Sequence, residues 1–343
     1  MTLRKLMERA VAFGMEADYR GLEGSLRCRE EEAERVVIAA GLKGRAAARL
    51  RGRWPVFGDV AWHTGEAKQP VRRLLVGINM PMESVVKAKQ LNGAGWGIDM
   101  LFAHHPHGNE PAIPRALQHY LRPSVVELDA RSLASFLDMP LASAKRIAEI
   151  NSRQCEKWRE GRTFASGRQA HMSVQLAESF GLPFYSCHTP CDNHLFWGIQ
   201  QVLNQQPRTV GDLMEAVLAI PEYARFRCER QEAPEVLVGS KRARLGKIWN
   251  ADTSATIRCV ELEEVVAEVA RVGFGSIVGV IKQREEIGRL AAKYKLNAVH
   301  LPHDPSDNFG INGLLDKLIK LEPLDILCTG DFYRVQRVQE SAR

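Results

Sequence analysis

The chain has 343 residues, 45% hydrophobic and 26% charged, long enough for two modest domains or one elaborated one and apolar enough to bury a core. No apolar run approaches the roughly 20 residues of a membrane span, and the stretch from Met1 to Arg20 scatters Arg4, Lys5, Glu8, Arg9, Glu16 and Asp18 among single apolar residues, unlike a signal peptide. The seven cysteines are odd in number, dispersed and without a CxxC pair, which argues against a disulfide framework and a structural zinc site and reads as a soluble, cytoplasmic protein with reduced thiols.

The net charge of +6 favours anionic partners without indicating a fold. Two basic runs, Lys43, Arg45, Arg49, Arg51, Arg53 and Lys241, Arg242, Arg244, Lys247, lack the interleaved aromatics of a single-strand binding surface. Solvated faces are the plain reading, and nucleic acid or a phosphate-bearing ligand is the alternative.

Apolar residues recur at helical spacing over 3–41, first Leu3, Leu6, Ala10 and Phe13, then Ala33, Val36, Val37 and Ala40, with a break in the Gly21 to Ser25 region. A basic, Gly/Trp/Pro-rich loop to Pro70 follows. Next come a strand over 72–78, a helix over 82–94 and a strand over 98–103 that carries His104 and His105 at its end. This is a β-α-β unit, and parallel sheets place ligand sites beyond the carboxyl ends of their strands. From 125 to 160 the pattern is helical without strands, with Pro140 between two helices, and predicts a helical insert. A helix over 168–180 leads to a short strand, 184–187, then to His188-Thr189-Pro190-Cys191-Asp192-Asn193-His194 and a helix with Leu195, Phe196, Ile199 and Val202 on its stripe. A helix over 210–218, a break at Pro221 and strand pieces at 236–238 and 247–249 come next. Helices over 262–271, 283–294 and 311–321 then alternate with strands over 276–281, 297–300 and 324–328. The predicted class is α/β, with mixed or parallel sheets, flanking helices, two interleaved α/β segments and a helical insert. The division follows as 1–122, 123–245 and 246–343.

Three clusters in this chain offer metal-ligand chemistry. Ala103-His104-His105-Pro106-His107 packs three imidazoles into four positions after a strand, the segment from His188 to His194 follows another, and His300-Leu301-Pro302-His303-Asp304-Pro305-Ser306-Asp307 a third. Each alone reads equally as a polar loop. Together they supply neutral imidazoles and carboxylates, a set suited to zinc, iron, manganese, cobalt or nickel. The candidate ligands are His104, His105, Asp192, His303 and Asp307, with His107 and His188 as candidate proton shuttles or substrate contacts. Side chains of neighbouring strand residues diverge, so His104 and His105 on an ideal strand would serve different ions. Asp192 also fits the N-cap of the helix that follows, a lesser alternative that can coincide with ligation. His303 and Asp307 are spaced i, i+4, but Pro305 fits a first helical turn and Asp304 its cap, so the pair is expected to meet in a loop. His194 reads as a surface residue, Cys187 and Cys191 as apolar packing.

In order and content these clusters resemble the NIF-three-like proteins, often catalogued as GTP cyclohydrolase I type 2 homologues. Ala103-His104-His105-Pro106 is similar to that family's HHP signature, His188-Thr189-Pro190-Cys191-Asp192 to its middle HT-x-x-D segment, and His303 to Asp307 to its late His-x-x-x-acid segment. The resemblance spans 74–331. It implies an α/β fold, two divalent metal ions held by the five candidate ligands, and a ring-like homo-oligomer. Two positions depart from the pattern: Pro302 precedes the late histidine where Gly is usual, and Asp307 stands where many members have Glu.

The resulting expectation is a metal-dependent hydrolase, cyclohydrolase-like or phosphoesterase-like, that acts on a nucleotide or other phosphate-bearing small molecule through a metal-activated water. The alternative is a non-catalytic metal-binding scaffold or regulator that contacts partners or nucleic acid through the basic runs.

Overall fold

The computed structural model describes residues 1–106, 128–161, 167–251 and 262–337, and within these no side chain from 154 to 171. α1 (Leu3–Ala17) starts where the Thr2 hydroxyl accepts the Lys5 amide, and buries Leu3, Leu6 and Ala10 along one stripe. The break before α2 (Gly21–Ala39) falls at 18–20 rather than within 21–25. There Asp18 accepts both the Arg20 amide and its guanidinium, a buried ion pair, and Gly21 opens the new helix at φ +65°.

The expected loop to Pro70 instead contains α3 (Gly44–Arg53) and β1 (Val60–Thr64). α3 is rich in Ala and Arg, both good helix formers, but buries only Ala47, so no apolar stripe announces it. β1 is an edge strand whose partner lies far downstream.

β2 (Arg73–Asn79), α4 (Met82–Gly93) and β3 (Met100–His105) form the β-α-β unit, with Leu74 opposite Met100 and Asn79 opposite His105. The insert follows as α5 (Ala130–Phe136) and α6 (Leu141–Gly161), then α7 (Gly167–Ser179) and β4 (Phe184–Cys187). After these come α8 (Thr189–Asn204), α9 (Val210–Leu218), α10 (Pro221–Arg230), β5 (Glu235–Val238) and β6 (Lys247–Asn250). The last segment is α11 (Leu262–Arg271), β7 (Phe274–Gly279), α12 (Arg284–Lys293), β8 (Asn297–His300), α13 (His303–Leu321) and β9 (Asp325–Cys328).

The strands form two sheets, ordered β1-β4-β3-β2-β9 and β5-β8-β7-β6. Each is parallel apart from one antiparallel edge, β1 on β4 and β5 on β8. β9 closes the first sheet beside β2, so the final segment interleaves with the first, and the α/β class with mixed sheets holds. Alternation along β2 sends Leu74 and Val76 into one core with Leu3, Leu6, Ile311 and Leu314, and Leu75 into another with Val85, Ala88 and Ala177. α8 serves both sheets, burying Cys191 in the first core and Leu195 and Ile199 against β7 and β8. Among the described residues no helix is long and apolar enough to cross a membrane.

Past β9 the chain runs back along α13, held by side chains one helical turn apart. Asn308 donates to the Asp331 carbonyl at 3.0 Å and accepts the Tyr333 amide at 3.1 Å. Asn312 donates to the Tyr333 carbonyl at 3.1 Å and accepts the Val335 amide at 3.1 Å. Arg337 then joins Asp316 to the buried Glu222, whose carboxyl burial pushes up against the opposing pull of that guanidinium. Asn312→Ala leaves the backbone groups of Tyr333 and Val335 without these partners, and is expected to cost about 1–3 kcal/mol. A thermal melt several degrees lower than that of the parent protein would show it, and an unchanged melt would mean that water satisfies these groups.

Candidate metal centre

Two strand ends and two helix starts meet at one edge of the first sheet. The parallel register that sets Ala103 opposite Ser186 carries the next residues of β3 and β4 to the same edge, and both His104 and His105 are about 1% exposed. Their rings do not diverge as on an ideal strand. They lie 4.2 Å apart at 56°, and His104 stacks on His188 at 4.4 Å and 9°. Each is anchored from behind at the strand terminus: His104 Nδ1 on the Cys187 carbonyl at 3.4 Å, His105 Nδ1 on Asn79 Oδ1 at 3.1 Å. An oxygen acceptor at Nδ1 keeps the proton there and leaves the Nε2 lone pair forward, the arrangement of a histidine ligand with its rear nitrogen hydrogen-bonded.

α8 begins three residues before Asp192, so this carboxylate is not the cap. His188 occupies that position, Pro190 follows in the first turn, and Asp192 projects from that same turn. A carboxylate there is favoured by the helix dipole while its oxygens are spent elsewhere. Oδ1 lies 3.4 Å from His104 Nε2, and Oδ2 lies 3.2 Å from His188 Nδ1. The late pair likewise meets on a helix and not in a loop. α13 starts at His303, Pro302 precedes it, and Pro305 falls in the first turn, where a missing N–H costs no helical bond. His303 Nε2 and Asp307 Oδ2 are 3.5 Å apart at i, i+4, and that same Oδ2 lies 3.8 Å from His104 Nε2. Asp304 caps nothing and faces His303 Nδ1 at 3.3 Å and Arg230.

His104, His105, His188, Asp192, His303 and Asp307 are thus brought together, and His107 lies outside the described residues. Two sets of three ligand atoms, each within 4.8 Å of one another, share His104: His104, His105 and His188, and His104, Asp192 and Asp307. His303 flanks them, its ring 6.1 Å from that of His105 and parallel to it within 5°. Asp307 Oδ2 is buried without a hydrogen-bond partner among the described residues. A buried carboxylate oxygen in that position is costly unless a cation balances it. The donor set and this oxygen fit a divalent ion, and these buried His and Asp groups can hold one.

Sequence reasoning missed Asp59. It precedes β1, is 4% exposed, and accepts the Thr189 amide at 3.3 Å and the Thr189 hydroxyl at 2.8 Å. Its Oδ2 lies 3.0 Å from His188 Nδ1, which therefore sits between two carboxylates. Burial opposes its charge, but His188 and Thr189 hold the Asp59 carboxyl below its usual range. The only signal was the alternation in Val60-Ala61-Trp62-His63-Thr64, obscured by the Trp, Pro and Gly residues around it. His194, read as a surface residue, is 7% exposed, and burial with Lys317 presses its imidazole down to about 3. It packs where α8 meets α13, beside Gly313. Cys187 and Cys191 are free and buried.

Asp59→Asn is expected to weaken metal binding by about 10- to 100-fold through the freed His188 ring, with the fold intact. Metal titration together with a thermal melt checks it, and full affinity in the variant would remove Asp59 from the centre. A pH effect follows as well. Burial opposes a charge on His104, but Asp307 and Asp192 raise its pKa to about 9, while burial and the neighbouring histidines hold His105 well below its usual value. An ion must displace the His104 proton, so affinity should climb with pH by about tenfold per unit and level off near 9. A flat profile in buffered metal titrations would contradict this.

No protein-family model matches the sequence, and no curated protein matches it. Solved structures do match. A NIF3 superfamily protein from Sphaerobacter thermophilus superposes with a TM-score of 0.54, 18% identical, over 87% of this chain and 96% of that one. Reduced HcgD from Methanocaldococcus jannaschii is 12% identical over 77% of this chain and 86% of that one, TM-score 0.44. TTHA1606 from Thermus thermophilus is 11% identical over 78% and 86%, TM-score 0.43. On the first of these superpositions, which covers nearly the whole of both chains, the protein has the fold of the NIF3 superfamily.

Proposed function

We propose that the chain binds two divalent metal ions at the edge of the first sheet and uses them to hydrolyse a phosphate-bearing small molecule, a nucleotide being the favoured class. One observation supports two ions above all: the ligand atoms fall into two sets of three that share His104, too many imidazoles and carboxylates for one compact shell. On this reading Asp192, Asp307 and His303 would hold one ion and His105 and His188 the other, and His104 would give its single Nε2 lone pair to one of the two. Bound metal would supply Lewis acidity and a hydroxide source near neutral pH. The chain's own groups do the rest. Cys187 and Asn79 fix the two strand-end rings, and Asp59 steadies His188. His188 Nδ1, 3.0 Å and 3.2 Å from the Asp59 and Asp192 carboxylates, is placed to hold a proton and pass it on.

The test is metal analysis of protein purified without chelator, followed by hydrolysis assays on nucleotides and phosphodiesters with His104→Ala and Asp192→Ala as controls. Two equivalents of metal with turnover that both variants abolish is the expected result. Full metal content without turnover on any substrate would favour a non-catalytic scaffold, and protein that stays metal-free after reconstitution would sink the reading.

A further inference from the structure

At the metal centre the Cys187 carbonyl holds His104, Asn79 holds His105 and Asp59 holds His188. His303 stands on the flank, its side chain 25% exposed. A helical side chain leans over the turn that precedes its own, and His303, the first residue of α13, has no such turn behind it. Its ring needs another hold.

Two carboxylates of its own helix face that ring. Nδ1 makes a hydrogen bond with Asp304 Oδ1 at 3.3 Å, whereas Nε2 lies 3.5 Å from Asp307 Oδ2, which has no hydrogen-bond partner among the described residues. A carboxylate only accepts, so the neutral ring keeps its proton on Nδ1 and leaves the Nε2 lone pair on the Asp307 side. A carboxylate behind a metal-binding histidine enforces the same orientation. Successive helical side chains ordinarily do not face each other, so Asp304 in turn needs a reason to stay with His303.

Arg230, the last residue of α10, supplies it. Nη1 lies 3.8 Å from Asp304 Oδ2, on the far side of the carboxylate from His303, and Nη2 is hydrogen-bonded to Asp331. The guanidinium sits 5.2 Å over the ring of the buried Phe226, and the Asp331 carbonyl accepts from Asn308 on α13, so both ends of the contact are fixed. α10 meets the same helix start a second time. The Tyr223 hydroxyl bonds that of Ser306 at 2.7 Å, and Ser306 donates to the Pro302 carbonyl at 2.6 Å, directly before His303.

We propose that Asp304 is a positioning residue that fixes His303 with its proton on Nδ1 and Nε2 toward the metal centre, and that Arg230 holds the Asp304 carboxylate for this task. The proposal rests on the metal-centre reading and deepens it, for it makes the packing of α10 and of the returning chain a control on the ion next to His303. Asp304 and Arg230 are both partly exposed, so the expected effects lie at the lower end of what supporting groups contribute.

The test pairs histidine NMR of full-length, ¹⁵N-labelled, metal-free protein, recorded at a pH where the His303 ring is neutral, with competitive zinc titration. The parent protein is compared with Asp304→Ala, Asp304→Asn and Arg230→Gln. His303 of the parent is expected to carry its proton on Nδ1. In Asp304→Ala the proton should pass to Nε2, where Asp307 is the remaining carboxylate, and zinc affinity should fall about tenfold. Asp304→Asn should keep the Nδ1 proton and most of the affinity, because an amide oxygen accepts as that of Asn79 does for His105. Arg230→Gln should weaken zinc about threefold. A parent ring protonated on Nε2, an unchanged tautomer in Asp304→Ala, or full zinc affinity in that variant overturns the proposal, and parental affinity in Arg230→Gln removes Arg230 from it. Protein that binds no zinc overturns the metal-centre reading alone, because the tautomers of the parent and of Asp304→Ala still show whether Asp304 fixes the ring.

Discussion

Asp307→Ala is expected to lose bound metal by about 100-fold or more in affinity, beyond what a supporting residue costs. The reason is position. Oδ2 lies 3.8 Å from His104 Nε2 and 3.5 Å from His303 Nε2, buried, with no hydrogen bond among the described residues, so its charge faces the two imidazoles whose protons a cation would replace. The same change should lower the stability of the metal-free protein near neutral pH, since the charged forms of His104 and His303 lose the carboxylate that favours them, and this loss should fade as pH rises past about 9. It should also lower the His104 pKa from about 9, because Asp307 is the largest of the influences that raise it against burial. Competitive metal titration and histidine NMR of the metal-free variant check both. Undiminished affinity, or a His104 that titrates as before, would show that Asp307 does not face the metal.

Gly310→Ala is expected to act on the same site from outside it. Gly310 lies three residues past Asp307 on α13, and a Cβ there would stand 2.4 Å from the Cys191 carbonyl oxygen and 3.1 Å from Leu195 Cβ. Backbone cannot turn aside as a side chain does, so α8 and α13 must part. α8 carries Asp192 next to Cys191, and the two helices hold Asp192 and Asp307 on either side of His104 Nε2. Overpacking of this kind costs about 1–3 kcal/mol. Metal affinity should fall about tenfold with it, as for other changes that displace ligands without removing them. Urea unfolding and metal titration of Gly310→Ala read the two losses. A variant that unfolds early but binds metal normally would mean that the helix contact does not set the ligand positions.

Much of the fold was legible because its strands and helices carry strong periodicity. β4, α9, α11 and β8 fall on the residues expected from pattern alone, as Pro, Gly and short apolar runs punctuate them. What stayed hidden lacked an apolar signature or depended on distant pairing. α3 buries one alanine, and β1 is an edge strand that becomes a strand only through β4. The start of α13 was masked by polar residues, His303, Asp304, Ser306, Asp307 and Asn308, which the sequence presents as a loop, whereas the helix brings His303 and Asp307 to the metal centre and Asn308 to the returning chain. For the same reason Asp192, a candidate ligand, also fitted a cap: spacing shows a carboxylate near a helix start but not whether its oxygens turn back to amides or out to His104 and His188. The three His-bearing segments were visible as motifs. Asp59 and Asn79, which hold His188 and His105, were not, because a supporting residue has no spacing of its own.

The metal-centre reading stands or falls most directly on anomalous diffraction from crystals of the full chain loaded with a divalent transition metal and measured at that metal's absorption edge. Two peaks are expected, one among His104, Asp192 and Asp307 and one beside His105 and His188, both absent from Asp307→Ala or weakened there. A loaded crystal with no peak at His104, or with its only peaks at residues outside this edge of the first sheet, would contradict it.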